Sequence, residues 1–132
     1  MNKRFAGITA LATYLPEQRE SNIELVGETT AKKLGILERR IGGKDETAGD
    51  MAFKAAENLF AKYPTIKRDG IGFVMLCIEI PDYLLPNTAC HIASRLNLPK
   101  ACGAVDYNLG CSGYIYGLAM AKGLRSEERR VG

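Results

Sequence analysis

Residues 114–121, Tyr-Ile-Tyr-Gly-Leu-Ala-Met-Ala, put no charge on any face of a helix. A helix that is apolar all round is buried on all sides. The run therefore demands a fold that encloses one helix between other layers. Gly113, Gly117 and Ala121 recur every four residues. That spacing lines up small residues on one helix face, where another backbone can come close. An apolar, strand-like run, 101–107, lies just upstream. Between the two stands Asn108-Leu109-Gly110-Cys111-Ser112-Gly113. A thiol, Cys111, is thus expected at a tight strand-to-helix turn.

The rest of the chain alternates in the same way. Residues 5–15 read as a strand stopped by Pro16-Glu17. Ser21-Asn22 is placed to cap a helix running to about Leu34, with Gly35 ending it. Residues 35–43 read as a loop or short extended segment. The clearest helix spans 47–63: Met51, Ala52, Ala55, Ala56, Leu59 and Phe60 share one face. Thr47 and Asp50 form a capping-box pattern, and Pro64 ends the helix. Asp69-Gly70 marks a turn into 71–80, apolar at nearly every position and expected to be a central, buried strand. A loop with an apolar tip, Tyr83-Leu84-Leu85, leads to a helix capped by Asn87 or Thr88. The order β-α-α-β-α-β-α argues for an α/β layered fold.

Composition excludes several classes. The 132 residues fit one domain, and a net charge of +3 is too mild for a nucleic-acid binder. The longest apolar stretch, 71–80, is far short of a membrane span. The N-terminus lacks the pattern of a signal peptide, so the protein is expected in the cytoplasm. Cys77, Cys90, Cys102 and Cys111 form no CxxC pair, and the one histidine is His91. No metal site is expected. Three of the cysteines are expected to be small buried residues.

Cys111 stands apart because of its neighbours. The start of a helix stabilises a thiolate, and the backbone N–H of a nucleophile can bind an oxyanion. Gly110 allows a sharp turn, and Gly113 is expected to keep the first helical turn open. The local chemistry leaves two readings: a nucleophile for acyl transfer, or a small core residue in a tight turn. His91 reads as structural, Asp106 and Glu79 receive no role, and the runs Asp45-Glu46 and Glu38-Arg39-Arg40 read as solvated surface.

At these residues the sequence resembles the N-terminal part of β-ketoacyl-acyl carrier protein synthase III, a condensing enzyme of the thiolase fold. The matching pieces are Ile8 with Tyr14-Leu15-Pro16-Glu17, then Gly35-Ile36-Leu37-Glu38-Arg39-Arg40-Ile41. Asp45-Glu46-Thr47 and Leu84-Leu85-Pro86-Asn87-Thr88-Ala89-Cys90 follow. The most specific is Val105-Asp106-Tyr107-Asn108-Leu109-Gly110-Cys111-Ser112-Gly113. The resemblance implies a thiolase-like α/β layered fold, of which this chain carries the N-terminal half.

It also implies that Cys111 accepts an acyl group from acyl-coenzyme A as a thioester. The acyl-enzyme would then condense with malonyl-acyl carrier protein, which loses carbon dioxide. The resemblance implies no cofactor beyond these substrates, and a homodimer. The family's catalytic histidine and asparagine lie in its C-terminal half, so this chain is expected to be inactive in the full condensation. Leu85 matches a loop residue that shapes the partner subunit's acyl pocket. Lys33 stands where the family often has a coenzyme-contacting arginine; lysine neutralises phosphate without the planar fork. Residues 22–35 are shorter than in typical bacterial members and lack a tryptophan, which fits a specialised paralogue. Two alternatives remain: another thiolase-fold condensing enzyme, hydroxymethylglutaryl-coenzyme A synthase-like or polyketide-type, or a non-catalytic dimerisation or binding module.

Residues 125–132, Arg-Ser-Glu-Glu-Arg-Arg-Val-Gly, break the pattern, with five charges in the first six positions. They match the translation of a common sequencing adapter. The expectation is a partial N-terminal thiolase-like domain over 1–124 and a non-native tail over 125–132.

Overall fold

The computed structural model describes residues 6–127. Phe5, the expected start of the first strand, and residues 128–132 of the tail lie outside them. The elements are β1 (Arg19–Ser21), α1 (Asn22–Val26), α2 (Glu28–Leu34), β2 (Glu38–Arg40), α3 (Ala48–Lys62), β3 (Phe73–Cys77), α4 (Thr88–Arg95), β4 (Gly103–Tyr107) and α5 (Gly113–Glu127). Single 3-10 turns, Arg68–Gly70 and Gly110–Ser112, precede β3 and α5. The α/β character is as expected from the alternation.

β3 and β4 form a parallel pair in the register Phe73↔Gly103 to Cys77↔Tyr107. α4 is the crossover between them and packs on both. Its buried face supplies Ala89, Ile92 and Leu96, which with Ile78 form the core beside this sheet. α5 packs back along β3. Its first turn lies against Cys77, at the end of the strand. Leu124 and Arg125 line a concavity of about 640 Å³ with Phe73, at the strand's start.

Several expectations need correction. Residues 6–15 form no strand and join no ladder. Their carbonyls are held by side chains of the α3 region instead: Asn58 Nδ2 donates to Thr13 O at 2.9 Å, and the Tyr63 hydroxyl donates to Leu11 O at 3.4 Å. A β-forming sequence becomes a strand only beside a free edge in register. The helix expected from Asn22 to Leu34 is two helices, broken at Gly27, whose φ of 82° is left-handed. The Ser21 cap and the left-handed Gly35 end stand as read.

Residues 38–40 are a strand, β2, antiparallel to β1. The charges there are not merely solvated: Arg19 bonds Glu38 at 2.8 Å, Arg39 bonds Glu20, and Arg40 donates to Pro16 O at 2.7 Å. Glu46 likewise is a node. It accepts from the Tyr14 hydroxyl at 2.7 Å and pairs with Lys54. The Lys54 ammonium, then the Tyr14 hydroxyl, hold its carboxyl below the ordinary range.

The strand expected over 71–80 is ordered only over 73–77, and its residues are half-buried or exposed. Only β4 pairs with it among the described residues. α5 departs furthest from expectation. Tyr114 is 60% and Ile115 66% exposed. Only the Gly113 and Gly117 side of its first two turns is buried, against the sheet. The described residues provide one covering layer, whereas the sequence asks for two.

Candidate active site

The sequence places Cys111 at a strand-to-helix turn, and the structure does the same. β4 ends at Tyr107, one 3-10 turn holds Gly110–Ser112, and α5 begins at Gly113. Gly110 has a φ of 53°, a left-handed conformation that L side chains rarely adopt. The Ser112 hydroxyl donates to Leu109 O at 2.9 Å, which pins the turn without consuming any of its N–H groups. No side chain caps the turn, and the first turn of α5 holds no acidic residue. Cys111 is exposed. An uncapped turn beside an exposed thiol leaves backbone N–H groups free to meet an oxyanion formed there.

Three contacts fix this turn to the sheet. Asn108 Nδ2 donates to Glu79 O at 2.7 Å, joining the turn to the chain after β3. The Tyr107 hydroxyl donates to Gly113 O at 3.2 Å. It fills the space that a Gly117 side chain would need, while the Cys77 thiol fills that of Gly113. So Gly113 does not hold an open space, as expected from the sequence; a thiol occupies it. The close approach along Gly113 and Gly117 is made by side chains of β3 and β4 rather than by a backbone. Burial, then the adjoining Cys77 thiol, push the Tyr107 phenol above its ordinary value.

Asp106, for which the sequence alone offers no role, has a clear one. Its two carboxylate oxygens accept from Thr88 N at 2.8 Å and Ala89 N at 2.7 Å, the first amides of α4. Asn87 completes the cap by accepting from Cys90 N at 2.9 Å. Asp82 acts likewise at α3, accepting from the Thr47 hydroxyl at 2.6 Å and Gly49 N at 3.1 Å. The fully buried Thr88 joins the two caps, its hydroxyl accepting from Asp82 N at 3.1 Å. No sequence signal pairs Asp106 with residues 17 and 18 positions away. An aspartate closing a strand is the only hint.

These caps brace the loop 81–87, whose tip stands clear of the protein: Leu84 is 85% and Leu85 92% exposed. Lys33 is exposed on α2, which packs on α1. Neither is brought to Cys111 by the described contacts. His91 faces Tyr83, with ring centroids 5.0 Å apart, so it is structural as read. The other cysteines correct an expectation: Cys77 and Cys90 are exposed and Cys102 half-buried. Burial pushes the Cys102 thiol up. No helix is long and apolar enough to cross a membrane among the described residues.

Comparison with solved structures decides the relationship. A crystal structure of a 3-oxoacyl-(acyl-carrier-protein) synthase III superposes with a TM-score of 0.84 at 46% identity, over 92% of this chain and 38% of that one. The chain matches the N-terminal part of β-ketoacyl-acyl carrier protein synthase III. The fold is therefore thiolase-like, as expected. The synthase III from Thermus thermophilus superposes with a TM-score of 0.78 at 36% identity. Among curated synthase III proteins, one from Halalkalibacterium halodurans is 38% identical over 96% of this chain, and one from Staphylococcus epidermidis 36% identical over 91%. The chain spans 39% and 38% of those two relatives' length. No family model matches the sequence.

Proposed function

We propose that this is a segment of a condensing acyltransferase whose nucleophile is Cys111. The observation that carries the proposal is an exposed cysteine in the uncapped turn that leads into α5, in a chain similar to synthase III enzymes. The Cys111 sulfur attacks the carbonyl of an acyl-coenzyme A. The new bond joins that sulfur to the acyl carbon, the bond to coenzyme A breaks, and the thiol proton passes to the departing coenzyme A. Backbone N–H groups of the turn hold the oxyanion in between. The acyl-enzyme then undergoes decarboxylative Claisen condensation with malonyl-acyl carrier protein.

The remaining roles belong to the same proposal. Leu85, exposed at its loop tip, fits an acyl pocket of a second subunit in a homodimer. Lys33 offers charge to a coenzyme A phosphate. The enzyme needs no resident cofactor and works in the cytoplasm. Condensation needs a proton-handling partner, and His91, held at Tyr83, is not one. The chain on its own is accordingly proposed to carry out acylation without condensation.

Incubation with a panel of acyl-coenzyme A thioesters, followed by intact-mass measurement, tests the nucleophile. The chain gains one acyl group, and Cys111→Ala gains none. An unmodified chain with every donor overturns the proposal.

A further inference from the structure

Beside the candidate nucleophile lies a carboxylate with no role so far. Glu79 follows β3, and its backbone carbonyl is tied to the turn by Asn108 at 2.7 Å. Its Oε1 lies 3.3 Å from where a Gly110 side chain would begin. Gly110 immediately precedes Cys111, and adjacent Cα atoms are about 3.8 Å apart. Among the described residues no lysine, arginine or histidine pairs with Glu79. The turn thus carries an unpaired carboxylate against Gly110, the residue before the thiol.

Resting on the reading of Cys111 as the acylated residue, we infer that Glu79 selects the acyl group: the donor carries an ammonium or hydroxyl near its β-carbon rather than a plain alkyl chain. An extended acyl group on Cys111 places its β-substituent about 5 Å from the sulfur by ordinary bond lengths. An alkyl chain laid against Glu79 strips water from an unpaired carboxylate and returns nothing. A hydrogen-bond donor at the same place replaces that water, and an ammonium does so with a charge-assisted bond.

The test measures initial rates of Cys111 acylation on the whole chain, by peptide-resolved mass spectrometry, with 3-aminopropanoyl-, 3-hydroxybutanoyl- and butanoyl-coenzyme A. The expected preference for the aminoacyl over the butanoyl donor is about tenfold or more, with the hydroxyacyl donor between them. Glu79→Gln removes most of the aminoacyl preference, and Glu79→Leu turns it toward butanoyl. A general loss of structure would slow all three donors together; selection by Glu79 changes their ratio. Equal rates for all donors, or an unchanged ratio in Glu79→Gln, overturn this inference and leave Cys111 as the nucleophile. No adduct from any donor overturns both.

Discussion

Two helices of this protein begin near the carboxyl ends of β3 and β4, and each has an exposed cysteine at its start: Cys90 in α4 and Cys111 just before α5. At α4 every nearby amide has a side-chain acceptor: Asp106 takes those of Thr88 and Ala89, and Asn87 takes that of Cys90. At α5 no side chain caps the turn and no acidic residue stands in the first turn. The positive end of a helix attracts negative charge in either case. In α4 that charge is built in and spent on stability. In α5 the position is left for a group that arrives or ionises. The same contrast holds for packing, since α4 buries Ala89 and Ile92 while α5 exposes Tyr114 and Ile115.

The contrast is most exposed to failure at Asp106. Asp106→Ala leaves two amides of α4 without their acceptor, at a helix whose first residues, Thr88 and Ala89, are fully buried. The expected loss is about 3 kcal/mol, read as a lower urea midpoint with an unchanged slope. A loss below about 1 kcal/mol would mean that water replaces the carboxylate freely, and α4 would then be as open as α5.

A smaller effect is expected at α3, where the cap titrates. Asp50 accepts from Arg95 at 2.6 Å and from Thr47 N at 3.2 Å. The Arg95 guanidinium, then the Thr47 amide, hold its carboxyl below the ordinary 3.8. A depressed carboxylate contributes stability that is present above its unfolded value and lost as pH falls through the folded one. Stability should therefore fall by about 1 kcal/mol as pH drops below the ordinary carboxylate range, because both partners are part-exposed. Arg95→Met should flatten that limb. An equally steep limb in the variant would assign the acid loss to other carboxylates.

What the sequence reveals divides along the same line. Capping at Ser21, Thr47 and Asn87 is local, so three or four neighbouring residues suffice to read it. Cys111 is legible for the same reason: apolar strand, glycine, thiol, glycine and helix follow one another directly. Asp106, Asp82 and Glu79 act on residues 17 to 35 positions away. Their partners are set by tertiary packing, for Asp106 and Glu79 around the parallel pair of β3 and β4, which periodicity does not encode. The failed expectations share another cause. Residues 6–15, 71–80 and 114–124 have the apolar pattern of enclosed elements, and that pattern reports what a segment is fit to pack against. Whether another layer is present lies outside the segment itself.

The finest discrimination between the two helix starts comes from placing a fixed charge at the open one. Ser112→Asp sets a carboxylate in the turn beside Cys111, imitating what Asp106 does at α4. Negative charge developing on the sulfur as it reacts then meets a resident anion at the same amides. Alkylation of Cys111 by iodoacetamide near pH 7.5 should slow about two- to fivefold. Cys90, measured by mass spectrometry in the same sample, should keep its rate, because its helix start is already occupied. Ser112→Asn is the control. It also loses the hydroxyl bond to Leu109, adds no charge, and should stay within about twofold of the unaltered chain. Raising ionic strength to about 1 M should shrink the aspartate effect, since both groups are exposed and the screening length falls to about 3 Å. Equal rates for the Asp and Asn variants would show that the start of α5 exerts no field on the thiol. The difference between the two helices would then be one of packing alone, and the reactivity of Cys111 would have to come from a group brought to it.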